Sequence, residues 1–443
     1  MAAERKVAGR YAMVAMPFDM KNDDNHITST TYAEEDGKVI SMAEEVAGDG
    51  YGKYWYDGKE RSGWNYEYKA DNSSCWKPVD ETFAVDGVIA ANDGFLLDRG
   101  NNTGEEVLRF TSFGNASSLY PYQEGAADKI VTLVQHDQSD VDAGGSSFRF
   151  TSEYNMGWNL KGMPYLISGY DTGVTGDDGR ETMFVPHVLY TMNDEGKYET
   201  KYSWKWDETA SATLSPGDAF FTQTAVIGDG KTENLRFSKL YYADNASGIV
   251  AYRMPALAMS AEGYGTDEVI ILPYGDETAD ETGSGRAANG LDYRFGVDGV
   301  KFASLNDTLP QISVCGTDGV GLSLLSHAPV GTEIPLTVAV KGESAYTFSL
   351  TDKTVYAAYA NVCIKDKVSG TVTNLLSGDY TTSVSPSDSP SRFSLVIGGS
   401  MEADQRRRKT GMYNTGGIRV SKPYGTGVYI EVGDKVRKVL KVR

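Results

Sequence analysis

The sequence has few cysteines and no long apolar run. Only Cys75, Cys315 and Cys363 occur among 443 residues, and none of them has the C-x-x-C spacing of a metal or redox motif. This number excludes a disulfide-dense scaffold. No run of roughly 18 or more apolar residues is present, which argues against a transmembrane helix. With 23% charged residues, the composition favours a soluble globular protein.

The motifs of common enzyme classes are also absent. The four histidines, His26, His136, His187 and His327, match no zinc motif, and no G-x-S-x-G nucleophile segment occurs. The glycine-rich stretches lack the patterns that bind nucleotide phosphates. The two carboxylates of a glycosidase can lie far apart in a chain, but no feature here selects such a pair. The sequence therefore predicts a protein that is not an enzyme and needs no cofactor.

Short runs of β-branched and aromatic residues, broken by Gly, Asp, Asn and Pro, replace helical periodicity throughout the chain. This pattern predicts an all-β protein made of tandem β-sandwich domains, jelly-roll or immunoglobulin-like, with a small C-terminal β module. The expected divisions are region one (1–147), region two (148–275), an immunoglobulin-like region three (290–400) and the C-terminal module (412–443).

Charge is distributed unevenly along the chain. From Arg406 onward, eleven Lys and Arg residues face only Glu431 and Asp434, so this segment carries +9 and the rest carries −28 of the total −19. Such asymmetry indicates an appended module. The acidic main body argues against nucleic acid as a partner, because nucleic-acid binding needs a basic surface.

The C-terminal module contains three alternating runs separated by turns, within GIRVSKPYGTGVYIEVGDKVRKVLKV. This segment resembles the C-terminal sorting domain of Bacteroidota proteins exported by the type IX secretion system. The matching positions are Gly417, Val420, Gly427, Val428, Tyr429, Ile430, Gly433, Lys435, Lys438 and Lys441. The resemblance implies that the type IX export machinery reads the tail and that the protein is secreted or displayed at the outer-membrane cell surface. The alternative is an ordinary closing hairpin of a β domain.

Three upstream segments also resemble parts of secreted Bacteroidota proteins. GWNLKGMPY (157–165) resembles a "GWNLVGNPY" segment, with Met163 where the family has Asn, and LSPGDAFFT (214–222) resembles the segment that follows it there. VCIKDKVSGTVTNLL (362–376), with Arg392, Phe393 and Leu395 after it, resembles a β-sandwich that directly precedes the sorting domain. These resemblances imply exported sandwich domains and name no ligand.

Two features concern the organisation of the N-terminal half. Residues 11–18 and 158–165 are both a short apolar run that ends in Met-Pro-aromatic, which hints that one sandwich unit is duplicated. The first 18 residues contain no apolar region of signal-peptide length, although an exported protein of this kind first crosses the inner membrane with one. We therefore expect the natural N-terminus to lie upstream of Met1.

Residues 51–76 are dense in aromatic side chains, among them Trp55, Trp64 and Tyr66. Aromatic rings stack on the apolar faces of sugars, so these three residues are candidates for binding a glycan or a host-surface ligand. The alternative is that they are core and rim residues with polar tips.

Calcium is the one ion that the sequence allows, because hard cations take oxygen ligands from acidic loops. The candidate ligands are Asp137, Asp140 and Asp142 in one loop and Asp171, Asp177 and Asp178 in another. Neither loop has EF-hand spacing, and solvated loop acids are the alternative.

Taken together, these patterns favour a non-enzymatic secreted or cell-surface protein that acts in adhesion or ligand binding. The alternative is the carbohydrate-binding accessory part of a secreted carbohydrate-active enzyme.

Overall fold

The computed structural model describes residues 2–22, 27–35, 38–44, 51–113, 119–120, 122, 125–142, 144–166, 174–175, 187–203, 214–224, 228–237, 255–273, 290–398, 411–414, 419–420, 427–432 and 436–441. Within these ranges the regular secondary structure is almost all β-strand, with one short α-helix, α1 (Gly58–Ser62), and one 3-10 turn (Ser73–Cys75). The predicted all-β class is confirmed. None of the helices in these ranges has the length and apolar character required to span a bilayer.

The first sandwich has an inner and an outer sheet. Its inner strands are β2 (Tyr11–Val14), β6 (Gly52–Tyr56), β7 (Trp76–Pro78) and β9 (Phe95–Asp98). Its outer strands are β1 (Ala2–Val7), β4 (Ile27–Glu35), β5 (Lys38–Glu44) and β10 (Glu106–Thr111), and β3 (Met20–Lys21) pairs separately with β8 (Val88–Ile89). The spatial orders are β2-β9-β6-β7 and β1-β10-β4-β5. One apolar cluster, which includes Val14, Leu97 and Phe110, joins the two sheets.

The second sandwich contains both of the region-two segments described above, residues 157–165 and 214–222. Its inner strands are β14 (Trp158–Gly162), β16 (His187–Met192), β17 (Tyr198–Ser203) and β18 (Ala219–Gln223). Its outer strands are β11 (Lys129–Val134), β15 (Val174–Thr175) and β19 (Thr232–Phe237), and β12 (Ser139–Val141) with β13 (Ser147–Arg149) forms a hairpin. GWNLKG and the AFFT of the second segment are adjacent antiparallel strands, with Leu160 opposite Phe221.

The two sandwiches share one strand order. Each inner sheet has four strands, and the strand that comes first in the chain lies at one edge of the sheet. Next to it lies the fourth strand in the chain, followed by the second and then the third, which gives β2-β9-β6-β7 and β14-β18-β16-β17. In each outer sheet the strand before the inner sheet pairs antiparallel with the strand after it, as β1 with β10 and β11 with β19. This correspondence supports the duplication that the Met-Pro-aromatic pattern hinted at.

The two inner sheets contact each other at equivalent positions. The Ala15 N–H donates to the Gly217 carbonyl at 3.1 Å, and the Gly162 N–H, the counterpart of Ala15, donates to the Asn92 carbonyl at 2.9 Å. Asn92 and Gly217 both adopt a left-handed φ, of 66° and 81°, which Asn and Gly tolerate best. The pair of reciprocal bonds relates the two sandwiches by an approximate two-fold axis.

Ala15 and Gly162 meet at this axis. A Cβ built on Gly162 would lie 2.3 Å from the Ala15 Cβ, far inside van der Waals contact. The backbones therefore approach more closely than two alanines allow, and one of the two equivalent positions must be glycine.

The third body is a sheet of eleven strands. The strands are β20 (Ala256–Ala261), β21 (Gly265–Pro273), β22 (Gly299–Val300), β23 (Gln311–Cys315), β24 (Gly321–Ala328), β25 (Glu333–Ala339), β26 (Ser344–Leu350), β27 (Val362–Asp366), β28 (Val372–Asn374), β29 (Tyr380–Val384) and β30 (Phe393–Ile397). Their order is β28-β27-β30-β25-β23-β24-β21-β20-β26-β29, with β22 paired to β24. β20 and β21, which fall within predicted region two, belong to this sheet, and one core cluster holds Met13, Trp158 and Phe348 together. The division into domains at 147 and 275 stays a prediction.

A buried ion pair joins the two parts of the region-three resemblance, residues 362–376 and the segment that contains Arg392. Asp366 ends β27, and its two oxygens accept from Nε and Nη2 of Arg392 at 2.9 and 2.6 Å. The hydroxyl of Tyr380 also donates to Asp366, at 2.9 Å. Arg392 foremost, with Tyr380 and backbone donors, holds the pKa of Asp366 well below its usual range. The Asp and Arg of the sequence pattern are therefore one structural unit.

The C-terminal strands form a sheet of their own. They are β31 (Gly411–Asn414), β32 (Arg419–Val420), β33 (Gly427–Val432) and β34 (Val436–Lys441), in the order β32-β31-β33-β34 and all antiparallel. In the described part of the chain these strands pair only with one another.

We expect Gly162→Ala to destabilise the protein by about 1–3 kcal/mol, because the added methyl overlaps Ala15 at the axis. Ala15→Gly introduced with it should recover most of this loss, since it removes the opposing methyl. Urea unfolding of the two single variants and the double variant measures the coupling. Additive losses would contradict the contact.

Candidate functional site

Three exposed aromatic residues surround one backbone carbonyl on the second sandwich. The Tyr66 hydroxyl donates to the carbonyl oxygen of Arg149 at 3.2 Å, and Phe148 and Phe150 flank that residue. Tyr66 is 67% exposed, Phe148 52% and Phe150 51%. Large apolar side chains are normally less exposed than this, and their grouping makes this a candidate interaction surface. We call Tyr66, Phe148 and Phe150 the aromatic surface.

The alternation of strand residues explains why both phenylalanines face outward. Residues two apart in an extended segment point to one side, so Phe148 and Phe150 lie opposite Arg149. Nε of Arg149 lies 3.8 Å from a carboxylate oxygen of the buried Asp137. This inward pair holds the segment, and the Phe150 N–H bonds the Gln138 carbonyl at 2.8 Å.

The segment that carries Tyr66 is fixed by hydrogen bonds to residues 152–155. The Asn65 carbonyl accepts from the N–H and the hydroxyl of Ser152, at 3.0 and 2.7 Å, and from Nδ2 of Asn155 at 3.2 Å. The hydroxyl of Tyr154 donates to the Tyr66 carbonyl at 2.6 Å. Asn65 has a φ of 54°, a left-handed conformation that Asn accepts and that turns its carbonyl toward these donors. The aromatic surface is therefore pre-organised.

A fully buried arginine lies beneath this segment. Asp57 caps α1 by accepting from the N–H groups of Lys59 and Glu60, and the helix directs Arg61 into the core. The guanidinium carbon lies 5.2 Å from the ring centre of Trp64, 5.0 Å from that of Trp158 and 4.7 Å from that of Phe302. These rings come from predicted regions one, two and three, so Arg61 connects all three.

Few polar groups accept hydrogen bonds from the Arg61 guanidinium. Its Nη2 donates to the Tyr154 carbonyl at 3.2 Å and its Nη1 to the Tyr56 hydroxyl at 3.4 Å, while Nε has no hydrogen-bond partner among the described residues. The faces of the three rings supply the remaining stabilisation, which is larger in a desolvated site than in water. Burial raises the pKa of Tyr56 far above its ordinary value and that of Cys75 to about 11, so both groups stay neutral beside the cation.

The three predicted ligand-binding aromatics have different positions. Tyr66 lies on the aromatic surface. Trp64 is buried, with the Arg61 guanidinium at 5.2 Å and Nζ of Lys69 at 5.1 Å from its ring centre, so it belongs to the core. Trp55 lies half-buried and stacks on Phe83, with ring centres 5.9 Å apart. Ligand binding by these residues stays a prediction.

The sequence does not single out Phe148 and Phe150 as surface residues, because an alternating run of this kind is typical of an ordinary strand with one buried face. The available signal was Phe-Arg-Phe in a short hairpin flanked by Gly and Ser, where an alternating pair need not face a core.

The structure describes only one of the two predicted calcium loops. Asp137 pairs with Arg149, and Asp142 accepts from the N–H groups of Gly144 and Ser146 within the hairpin turn. Asp140 lies on β12 opposite Phe148. No group of three or more His, Cys, Asp or Glu that could hold a metal occurs in the described ranges. Asp171, Asp177 and Asp178 lie outside them, and calcium stays untested.

No protein-family model, curated protein or solved structure matches this chain. The resemblance to type IX cargo therefore stays a prediction from sequence motifs.

We expect Arg61→Lys to be less stable than Arg61→Met by about 1 kcal/mol or more. An ammonium is more strongly hydrated than a guanidinium and lacks its planar faces for packing on aromatic rings, whereas methionine avoids burying a charge. Urea unfolding of both variants gives the order. A lysine variant at least as stable as the methionine variant would contradict a role for the planar group.

Proposed function

We propose that the protein is an exported, non-enzymatic β-sandwich protein of the secreted or cell-surface class, and that residues 412–443 are its export signal. The supporting observation is that β31–β34 pair only with one another among the described strands. A signal that export machinery reads has to be accessible without unfolding the preceding domain, and a separate sheet satisfies this requirement.

The motif positions of the tail fall largely on this sheet. Val420 lies on β32, Gly427, Val428, Tyr429 and Ile430 on β33, and Lys438 and Lys441 on β34. Gly427 pairs with Lys441, and Ile430 pairs with Lys438. Gly417, Gly433 and Lys435 lie outside the described residues. The motif is thus mainly a pair of adjacent strands, which supports recognition of a folded sheet by the export machinery.

A reporter with a signal peptide, carrying residues 411–443 at its C-terminus, should reach the surface or medium of a Bacteroidota host that has the type IX route. Fractionation followed by immunoblotting measures its location. The matched control is the same tail in scrambled order, which keeps the net charge but not the strand pattern. Retention of both reporters in the periplasm would refute the export role, and equal export of both would assign it to charge alone.

A second candidate function is carbohydrate binding at the aromatic surface. It is favoured by three exposed rings on a pre-organised segment, since such rings stack on sugar faces through apolar contact. This candidate covers both adhesion to a glycan and an accessory role beside a carbohydrate-active enzyme, because the binding chemistry is the same.

Phe148→Ala and Tyr66→Ala should each weaken binding of a neutral oligosaccharide by about tenfold, the effect of losing one stacked ring at about 1–3 kcal/mol. A glycan array identifies the oligosaccharide and titration calorimetry measures affinity. Phe113→Ala, which removes an exposed ring beside Lys21 instead, is the matched control. Lack of any array signal from the unaltered protein would end this candidate.

A further inference from the structure

A lysine and an aspartate form a buried pair inside the eleven-stranded sheet. Nζ of Lys301 lies 2.5 Å from Oδ2 of Asp267, and both side chains are almost completely buried. Asp267 belongs to β21, and Lys301 directly follows β22. Both strands pair with β24, which brings the two residues together across 34 positions of sequence.

Neighbouring groups fix both partners. The Ile312 N–H donates to the same Oδ2 of Asp267 at 2.7 Å. The backbone of Lys301 donates to the Gly321 carbonyl at 2.8 Å and accepts from the Tyr68 hydroxyl at 2.9 Å. The amine nitrogen is thus held against the carboxyl group with little freedom on either side.

We propose that Lys301 and Asp267 condense to an intramolecular isopeptide bond. A proton passes from the ammonium to the carboxylate, and the neutral nitrogen attacks Cγ of Asp267. The new bond is Nζ–Cγ, and the broken bond joins Cγ to one carboxyl oxygen. That oxygen leaves as water with the proton it received and a second proton lost by nitrogen. No oxidant or reductant is consumed.

The site favours this reaction in two ways. Burial makes a charged pair costly, and condensation replaces two charges by one neutral amide that keeps a hydrogen-bonding oxygen. Fixed contact between the reacting groups raises their effective concentration far above that in solution. This gain offsets the free-energy cost of a condensation that releases water into an aqueous medium. The Ile312 N–H donates to Oδ2 and so polarises the carboxyl group, which makes Cγ more electrophilic toward the amine.

A second pair in the chain provides a matched comparison. Nζ of Lys341 also lies 2.5 Å from an aspartate oxygen, that of Asp307, but both side chains are exposed. Hydration stabilises those charges and water competes for the carboxyl group, so this pair should not react. The bond at Lys301 would tie β21 to β22 covalently, a benefit for a protein that acts outside the cell.

Intact mass of the full-length chain, measured after denaturation, tests the proposal. The mass should fall below the sequence mass by one water, and the Lys301→Arg variant, which keeps a cation but cannot condense, should have its full mass. Lys341→Arg should retain the deficit. Tryptic mapping should give a branched peptide that contains Asp267 and Lys301, with no cleavage after Lys301.

Two results would overturn the proposal. One is the full sequence mass for the unaltered protein after prolonged incubation in the folded state. The other is a deficit that maps elsewhere, such as to a cyclised Asp-Gly step at Asp57, which mild alkali reverses while an isopeptide bond persists.

Discussion

The contact between Ala15 and Gly162 determines how the N-terminal half is assembled. The two residues occupy equivalent positions in two sandwiches of the same strand order, and each donates its N–H to the turn before the last inner strand of the other sandwich. Because the methyl of one and the bare Cα of the other meet at the axis, the inner sheets lie close enough to share an interior. A duplicated unit has to face its own copy at such an axis, so small side chains are required there.

The shared interior explains why an arginine can be buried with no carboxylate partner among the described residues. Rings from all three predicted regions surround Arg61, and each ring packs against other members of one core cluster. Moving any region away would expose the guanidinium on one side and remove part of its stabilisation. The cation therefore couples regions that the sequence presents as separate, and it lies directly under the segment that carries Tyr66. Rigidity of the aromatic surface follows from this buried support.

Local patterns were predictable from the sequence, and pairings over long distances were not. Short alternating runs predicted the all-β class, and the two region-two segments proved to be neighbouring strands. Arg61 could not be assigned to the core, because a charged residue after an Asp-Gly step is typical of a solvated turn. β21 joins the third sheet by parallel pairing with β24, and β20 joins it by antiparallel pairing with β26. No local signal in the sequence specifies such distant partners. One of the three residues of the aromatic surface was predicted, because Tyr66 lies in a dense aromatic stretch whereas Phe148 and Phe150 do not.

Charge restricts what the aromatic surface can bind. The chain before Arg406 carries a net charge of −28. Two exposed acids lie in the fixed segments beside the aromatic surface: Glu67 directly follows Tyr66, and Glu153 directly follows Ser152. An anionic ligand would meet repulsion from Glu153 and, at low salt, from the net charge of the whole body, while Lys69, whose Nζ lies 3.2 Å from Glu67, offsets the charge of that acid. Ring stacking requires no charge in the ligand, so we expect the proposed site to favour neutral sugars over anionic ones.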